Sequence, residues 1–208
     1  MGVPAVLEIE ALERRFGAVE AVRGFGLTLN AGEHVALVGP NGSGKSTILR
    51  CIAGSLRPTS GKVSIAGHPA GSLEARRLVG ASLARERSFY MRLSGRENLL
   101  FFARVRHGST RVASLCVREL EEELELTEIL EQRLDRCSTG MLQQLAFARA
   151  LLGEPSLLAL DEPTRSLDTE ATERLWKALG RRPRAAVIVA THAASDMARC
   201  GRRVDLRR

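Results

Sequence analysis

The chain has 208 residues, 44% hydrophobic and 26% charged, the profile of a folded domain long enough to bury a core. Its apolar stretches are broken by charge or Gly within about ten residues, which excludes a membrane-spanning helix. The net charge of +7 invites nucleic acid, yet Lys occurs only at 45, 62 and 177. An arginine preference spread along a whole chain reads as codon bias, so no specific nucleic-acid partner is expected.

The N-terminus MGVPAVLEIE is acidic where a secretory signal would be basic, which points to a cytoplasmic protein. VLEIEAL, AVRGFGLTL and HVALVG read as short strands, with the turn LNAGE before the third. GPNGSGKST at 39–47 follows that strand directly, and STILRCIAG continues as a helix to Gly54. RPTSG is a turn, KVSIAG a strand, and 71–83 a short helix followed by the strand LVGASL. Residues 84–136 are charged, Leu-rich and helical, with no strand pattern. CSTGMLQQ at 137–144 opens another helix; LLALD at 157–161 is a buried strand and TEATERLWKAL a helix. AAVIVAT is a further buried strand and ASDMARC a last helix, after which VDLRR leaves the closing edge of the core abbreviated. Strands alternating with helices predict an α/β fold with a mainly parallel sheet and an inserted helical block. The cysteines at 51, 116, 137 and 200 show neither CxxC nor metal spacing and read as reduced thiols.

The stretch Gly39-Pro40-Asn41-Gly42-Ser43-Gly44-Lys45-Ser46-Thr47 matches G-x-x-x-x-G-K-[ST] between a strand and a helix. Its glycines let the backbone curl until several N–H groups face one anion. The helix start adds partial positive charge, Lys45 a compact charge for terminal phosphates, and Ser46 a hydroxyl for Mg²⁺. A Lys retained in an Arg-rich chain points to a need for a point charge rather than a planar fork.

Asp161 and Glu162 follow the buried strand LLALD at its C-terminal end, the edge where parallel sheets bind ligands. Neighbouring strand residues point opposite ways, so Asp161 is expected to hold Mg²⁺ through water and Glu162 to orient or deprotonate an attacking water. His192 ends the strand AAVIVAT at the same edge, where an imidazole can hydrogen-bond a γ-phosphate.

This order of motifs resembles the ATP-binding cassette (ABC) ATPases along essentially the whole chain. The resemblance implies an α/β P-loop NTPase core with a small N-terminal antiparallel β subdomain. It makes 1–208 one nucleotide-binding domain, with the ATPase core at 1–83 and 141–208 and a helical signature subdomain at 84–140. Ser138, Thr139, Gly140 and Met141 look like the signature loop, offered in trans to a second cassette. Ser166, Leu167 and Asp168 resemble the D-loop, His192 the switch histidine, and Phe16 the aromatic that stacks on adenine. The implied cofactors are ATP and Mg²⁺. The implied partners are a second cassette, in a homodimer, and an integral membrane permease touching residues 84–102 at the inner face of the membrane.

The segment SFYMRLSGRENLLFFARV resembles export-type subunits, with Phe89, Tyr90 and Met91 lining a partner groove and Leu99, Phe101 and Phe102 packing inside. Two departures stand out. The family's Gln after the strand is replaced by Ala84, Arg85 and Glu86, of which Glu86 would be the substitute oxygen ligand. Met141 stands where Gly is usual and would limit close approach. A soluble ABC protein acting on DNA or ribosomes, or a weakened cassette in an asymmetric pair, stays open as an alternative.

Overall fold

The computed structural model describes residues 5–83 and 89–206, so Glu86 and its neighbours Ala84 and Arg85 lie outside the described residues. The chain divides into two compact units, residues 1–84, 155–162 and 183–208 in one, and 85–154 with 163–182 in the other.

Period-two burial builds the first sheet: Leu7 and Ile9 turn inward while Glu8 and Glu10 face solvent. β1 (Ala5–Phe16) pairs antiparallel with β2 (Val19–Asn30) and with β4 (Ser60–Ile65), and β5 (His68–Pro69) closes the order β2-β1-β4-β5. A second, wholly parallel sheet runs β6 (Val79–Ser82), β7 (Leu157–Asp161), β8 (Ala186–Ala190), β3 (His34–Val38), β9 (Arg202–Asp205). β7 and β8 are buried at every position, as expected for inner strands written as continuous apolar runs. α1 (Lys45–Ile52) lies against β7 and β8, and α2 (Leu73–Leu78) and α8 (Ala194–Ala198) complete this unit. Its core joins Leu37, Ile48, Leu49, Leu157 and Ile188 to Leu7, Leu29 and Ile65 of the antiparallel sheet.

The tail corrects one expectation. Far from leaving the edge abbreviated, residues 202–205 add a fifth strand beside β3, with Val35 opposite Arg202 and Val38 opposite Asp205. Arg-Arg-Val-Asp lacks the apolar run that marks an inner strand, because an edge strand is paired on one side only.

In the second unit α3 (Gly95–His107), α4 (Thr110–Leu124) and α5 (Thr127–Glu131) are followed by a 3₁₀ turn at Leu134–Arg136, then α6 (Thr139–Leu151) and α7 (Thr169–Gly180). Helix starts are written into the sequence. Ser94 and Glu97 form a complete capping box on α3, and Ser109, Ser138 and Asp168 accept from the first turns of α4, α6 and α7. The fully buried Asn98 accepts from Tyr90 N–H at 2.8 Å and donates to the carbonyls of Tyr90 and Ser94, tying the loop before α3 to the helix.

The compact units divide the chain elsewhere than at 140/141. α6 packs on α3 and α7 on α4, and both fall in the compact unit of the helices before them. Sequence order placed them after the signature stretch; their apolar faces decide otherwise.

Phe101 also departs from expectation. Leu99 and Ala103 sit inward on α3, whereas Phe101 is 41% exposed beside Val105 on the outer face. Its ring meets Tyr90 at 5.1 Å and Phe102 at 5.2 Å, both edge-on, and the Arg149 guanidinium covers Phe89 and Phe102.

Two carboxylates bind this unit to its arginines. Arg96 grips Glu121 with both guanidinium arms at 2.8 Å, and Arg182 grips Glu123 at 2.9 and 2.8 Å. Burial pushes the Glu123 carboxyl upward, but the hydrogen bonds and charges of Arg182 and Arg181 outweigh it and hold it below its ordinary 4.5. The Arg96 hydrogen bonds lower Glu121 in the same direction. A lowered folded-state pKa contributes stability that is complete above the unfolded value and is lost as pH falls through the folded one. Glu123→Gln should therefore unfold at lower urea than wild type near pH 7, and the gap should narrow as pH drops below about 4.5. A gap that stays constant down to about pH 3 would contradict this ionic account.

Candidate functional site

β3, β7 and β8 run parallel and in direct register, so their C-terminal ends leave the sheet at one edge. That edge carries the phosphate loop, the acid pair and His192.

The loop leaves β3 at Gly39. A side chain there would meet Ser43 Oγ at 2.7 Å and the Leu206 carbonyl at 2.8 Å, so the strand β9 and its continuation press on the loop and admit only Gly. Gly42 and Gly44 take left-handed φ of 79° and 97°, and Ser43 N–H closes the curl onto the Pro40 carbonyl at 3.1 Å. Pro40, Asn41, Gly42 and Ser46 are exposed, Thr47 and Ser43 half-buried. Lys45 is only 7% exposed; its Nζ donates to the carbonyls of Gly39 (2.7 Å) and Pro40 (3.1 Å). Two of three ammonium donors thus grip the loop's own backbone, and the charge is stored over the α1 N-terminus.

Asp161 ends β7 opposite Ala190 and is buried, with Oδ2 lacking a hydrogen-bond partner among the described residues. Glu162 follows at φ 49°, a left-handed turn that a non-glycine residue adopts at a cost of about 1 kcal/mol. Its N–H donates to the Ala190 carbonyl at 2.7 Å, which holds that turn against β8. The two acids therefore part company: Asp161 stays inside, Glu162 comes to the surface of the edge. There the His192 N–H donates to Glu162 Oε2 at 3.4 Å, and His192 Nε2 stands 3.6 Å from Oε1.

Phe16 ends β1 and is 45% exposed, with the Arg14 guanidinium 4.5 Å from its ring centre. One face of the ring is thus already covered by a cation.

In the helical unit Ser138 and Thr139 are exposed, Gly140 and Met141 half-buried. Ser138 Oγ accepts the Met141 N–H at 3.2 Å, so that N–H is spent on capping α6 while the Ser138 hydroxyl hydrogen remains free to donate. A side chain on Gly140 would stand 2.5 Å from the Ser166 carbonyl. Ser166 itself has φ 71°, Leu167 N–H donates to the Thr164 carbonyl, and Asp168 accepts from Ala171 N–H at 2.7 Å to start α7. Gln143 Nε2 reaches the Pro163 carbonyl at 3.3 Å. The signature stretch and 163–168 are therefore one packed piece.

The description "ABC transporter" fits residues 22–165, more than half of the chain. The chain belongs to the ABC transporter family. It is 36% identical over 192 residues to an uncharacterised ABC transporter ATP-binding protein of Bacillus subtilis, covering 90% of this chain and 61% of that protein. It is 35% identical over 175 residues to a Nod factor export ATP-binding protein I of a Rhizobium species, covering 83% and 57%. The chain thus spans about three fifths of the length of these curated relatives. Among solved structures, a dimeric ATP-binding cassette in a post-hydrolysis state bound to ADP and Pi superposes with TM-score 0.87 at 25% identity, over 97% of this chain and 94% of that one. An ATP-binding subunit of an ABC transporter superposes at 0.86 with 27% identity, over 97% and 85%.

Within this ABC chain, motif reading passed over two groups. Thr191 and Asp196, both fully buried, form a hydrogen-bonded pair beside His192. Leu206 backs the phosphate loop. Burial of an acid in the sequence ASDMARC has no periodicity to reveal it, and Leu206 stands alone among charged residues. Among the described residues no group of three metal-binding side chains forms.

Gly140→Ala provides a test of the packed signature piece. Alanine favours a helix interior by about 0.5–1 kcal/mol, but a clash with a backbone oxygen cannot be relieved by rotating a side chain. Overpacking of this kind costs about 1–3 kcal/mol, so the urea midpoint should fall; a rise would show that 166–168 is free to retreat.

Proposed function

We propose that this chain is the ATP-hydrolysing subunit of an ABC exporter whose transport path is supplied by a separate membrane permease. The observation that carries the reading is the convergence of Lys45, Asp161, Glu162 and His192 on one edge of one parallel sheet. Both compact units together would form the nucleotide-binding domain.

In this reading backbone N–H groups of residues 41–47 face the β- and γ-phosphates, and Lys45 exchanges its carbonyl acceptors for phosphate oxygens. Phe16 stacks on adenine with its free face. Ser46 Oγ and Asp161 would hold Mg²⁺, Asp161 through water; a buried carboxylate oxygen without a partner suits a hydrated divalent cation. When bound, that ion supplies neutralising charge across the phosphate oxygens. Glu162 orients and deprotonates the attacking water, and His192 beside it hydrogen-bonds the γ-phosphate. Catalysis is then mainly positioning and electrostatic stabilisation.

Ser138, Thr139 and Gly140 would complete the site of a second copy, with the Ser138 hydroxyl donating to that copy's γ-phosphate and 166–168 as the D-loop. The dimeric state of the structurally similar cassettes supports a homodimer here. The exposed apolar group Tyr90, Met91, Leu93 and Phe101 supports a permease contact on the helical unit. No helix among the described residues is long and apolar enough to cross a membrane, so the chain would sit at the inner face through that contact. The lean to export rests on the relatives named for Nod factor export.

Glu162→Gln should keep ATP binding, by fluorescent-nucleotide titration, while turnover falls by about 10² or more; wild-type turnover in that variant would sink the role of Glu162. Lys45→Ala should weaken ATP binding itself, by about tenfold or more. An unchanged dissociation constant would remove Lys45 from the phosphate site.

A further inference from the structure

We infer that Thr191 and Asp196 are positioning residues for His192, a hydrogen-bonded clamp that holds the imidazole over Glu162; the inference deepens the proposed ATPase reading and rests on it. The His192 side chain is 47% exposed, and its one close partner shown is Glu162, with Nε2 3.6 Å from Oε1. A half-exposed imidazole at that distance is not held in place by packing, so its aim has to come from its backbone.

The backbone is pinned on both sides. Before it, Thr191 follows the last residue of β8 directly, its N–H reaching the Leu37 carbonyl at 3.4 Å. After it, the Ala193 N–H donates to Thr191 Oγ1 at 3.0 Å, folding 191–193 into a closed turn. That bond uses the hydroxyl oxygen as acceptor, so its single hydrogen is free to go elsewhere. It goes to Asp196 Oδ2, 2.9 Å away, and both residues are fully buried. The direction of the chain is therefore determined: Ala193 N–H to Thr191 oxygen, Thr191 hydroxyl to the Asp196 carboxylate. Low local dielectric strengthens each bond in such a chain. Separately from this chain, the His192 N–H donates to Glu162 Oε2 at 3.4 Å.

The Asp196 carboxylate reaches the turn from the first turn of its own helix. It stands in the first turn of α8, yet the helix has no side-chain cap, and the acid reaches back to Thr191 instead. Burying a carboxylate is costly unless hydrogen bonds compensate, and an apolar residue would fill the same place with no such cost. What the acid adds is a fixed orientation for the one hydroxyl that closes the turn around His192.

The test uses the cassette in complex with its permease, in vesicles, with Thr191→Val, Thr191→Ser, Asp196→Asn and His192→Ala, singly and with His192→Ala combined with Thr191→Val. Thr191→Val keeps the shape and removes the hydroxyl; it should lower kcat by about tenfold with KM for ATP nearly unchanged. Thr191→Ser, which restores the hydroxyl, should recover most of kcat. Asp196→Asn retains an acceptor for the hydroxyl and should lose less than Thr191→Val. On top of His192→Ala, Thr191→Val should cost little more, because a clamp has nothing left to aim. A kcat loss in Thr191→Val that serine does not recover, or that multiplies fully with His192→Ala, marks a merely structural pair and overturns the inference. Unchanged kcat in Thr191→Val overturns it as well. If His192→Ala alone leaves kcat unchanged, the assigned role of His192 in ATP hydrolysis falls first, and the clamp with it.

Discussion

The parallel register of β3, β7 and β8 is the constraint on which the edge carrying Lys45, Asp161, Glu162 and His192 depends. His34 lies opposite Val187 and Leu157 opposite Ala186, so three strands from distant parts of the chain end level with one another. Each is followed at once by candidate site residues: the Gly-rich loop after β3, Asp161 and Glu162 after β7, and His192, one residue on, after β8. A slip of one residue in either pairing would turn buried side chains to the opposite face, and Asp161 would lose its place inside. Every position of both strands is buried, so it is Asp161, the polar residue at the end of β7, that such a slip would misplace.

At that edge the finer geometry is built from backbone rather than from side-chain packing. Lys45 holds two carbonyls, Glu162 takes a strained left-handed turn secured by the Ala190 carbonyl, and His192 stands in a turn closed by a threonine hydroxyl. Gly39 is squeezed by the Leu206 carbonyl. Backbone acceptors are rigid, so groups bound to them are aimed with little conformational freedom left to lose when a ligand arrives.

The helical unit follows a different logic. α3, α4, α6 and α7 are started by side-chain caps and bidentate arginine–carboxylate pairs tie the unit together, while an aromatic group around Phe101 and Tyr90 is left at the surface. The signature stretch belongs to this unit and is packed against 163–168 through a glycine contact. Gly140 and Ser166 are in backbone contact, so the Ser138 stretch and 163–168 form one packed piece of this unit.

Much was legible in the sequence. The phosphate loop has a fixed spacing, the acid pair follows an unmistakable apolar strand, and Ser138 announces a helix start, because these features are local. The α/β class followed from the alternation of periods, and the caps from residue type. Other features were decided only in three dimensions. The strand at 202–205 is legible only from β3, which supplies its ladder. Phe101 looked like core because an apolar pair at 101 and 102 does not say which face of α3 is covered. α6 and α7 joined the helical unit because faces, not chain order, choose packing partners. The Thr191–Asp196 pair, five residues apart, could not be told from a surface helix until burial and a shared hydrogen bond brought it beside His192. Local spacing thus determined which chemistry the chain carries, whereas burial and backbone contacts, which depend on distant residues, decided how that chemistry is held.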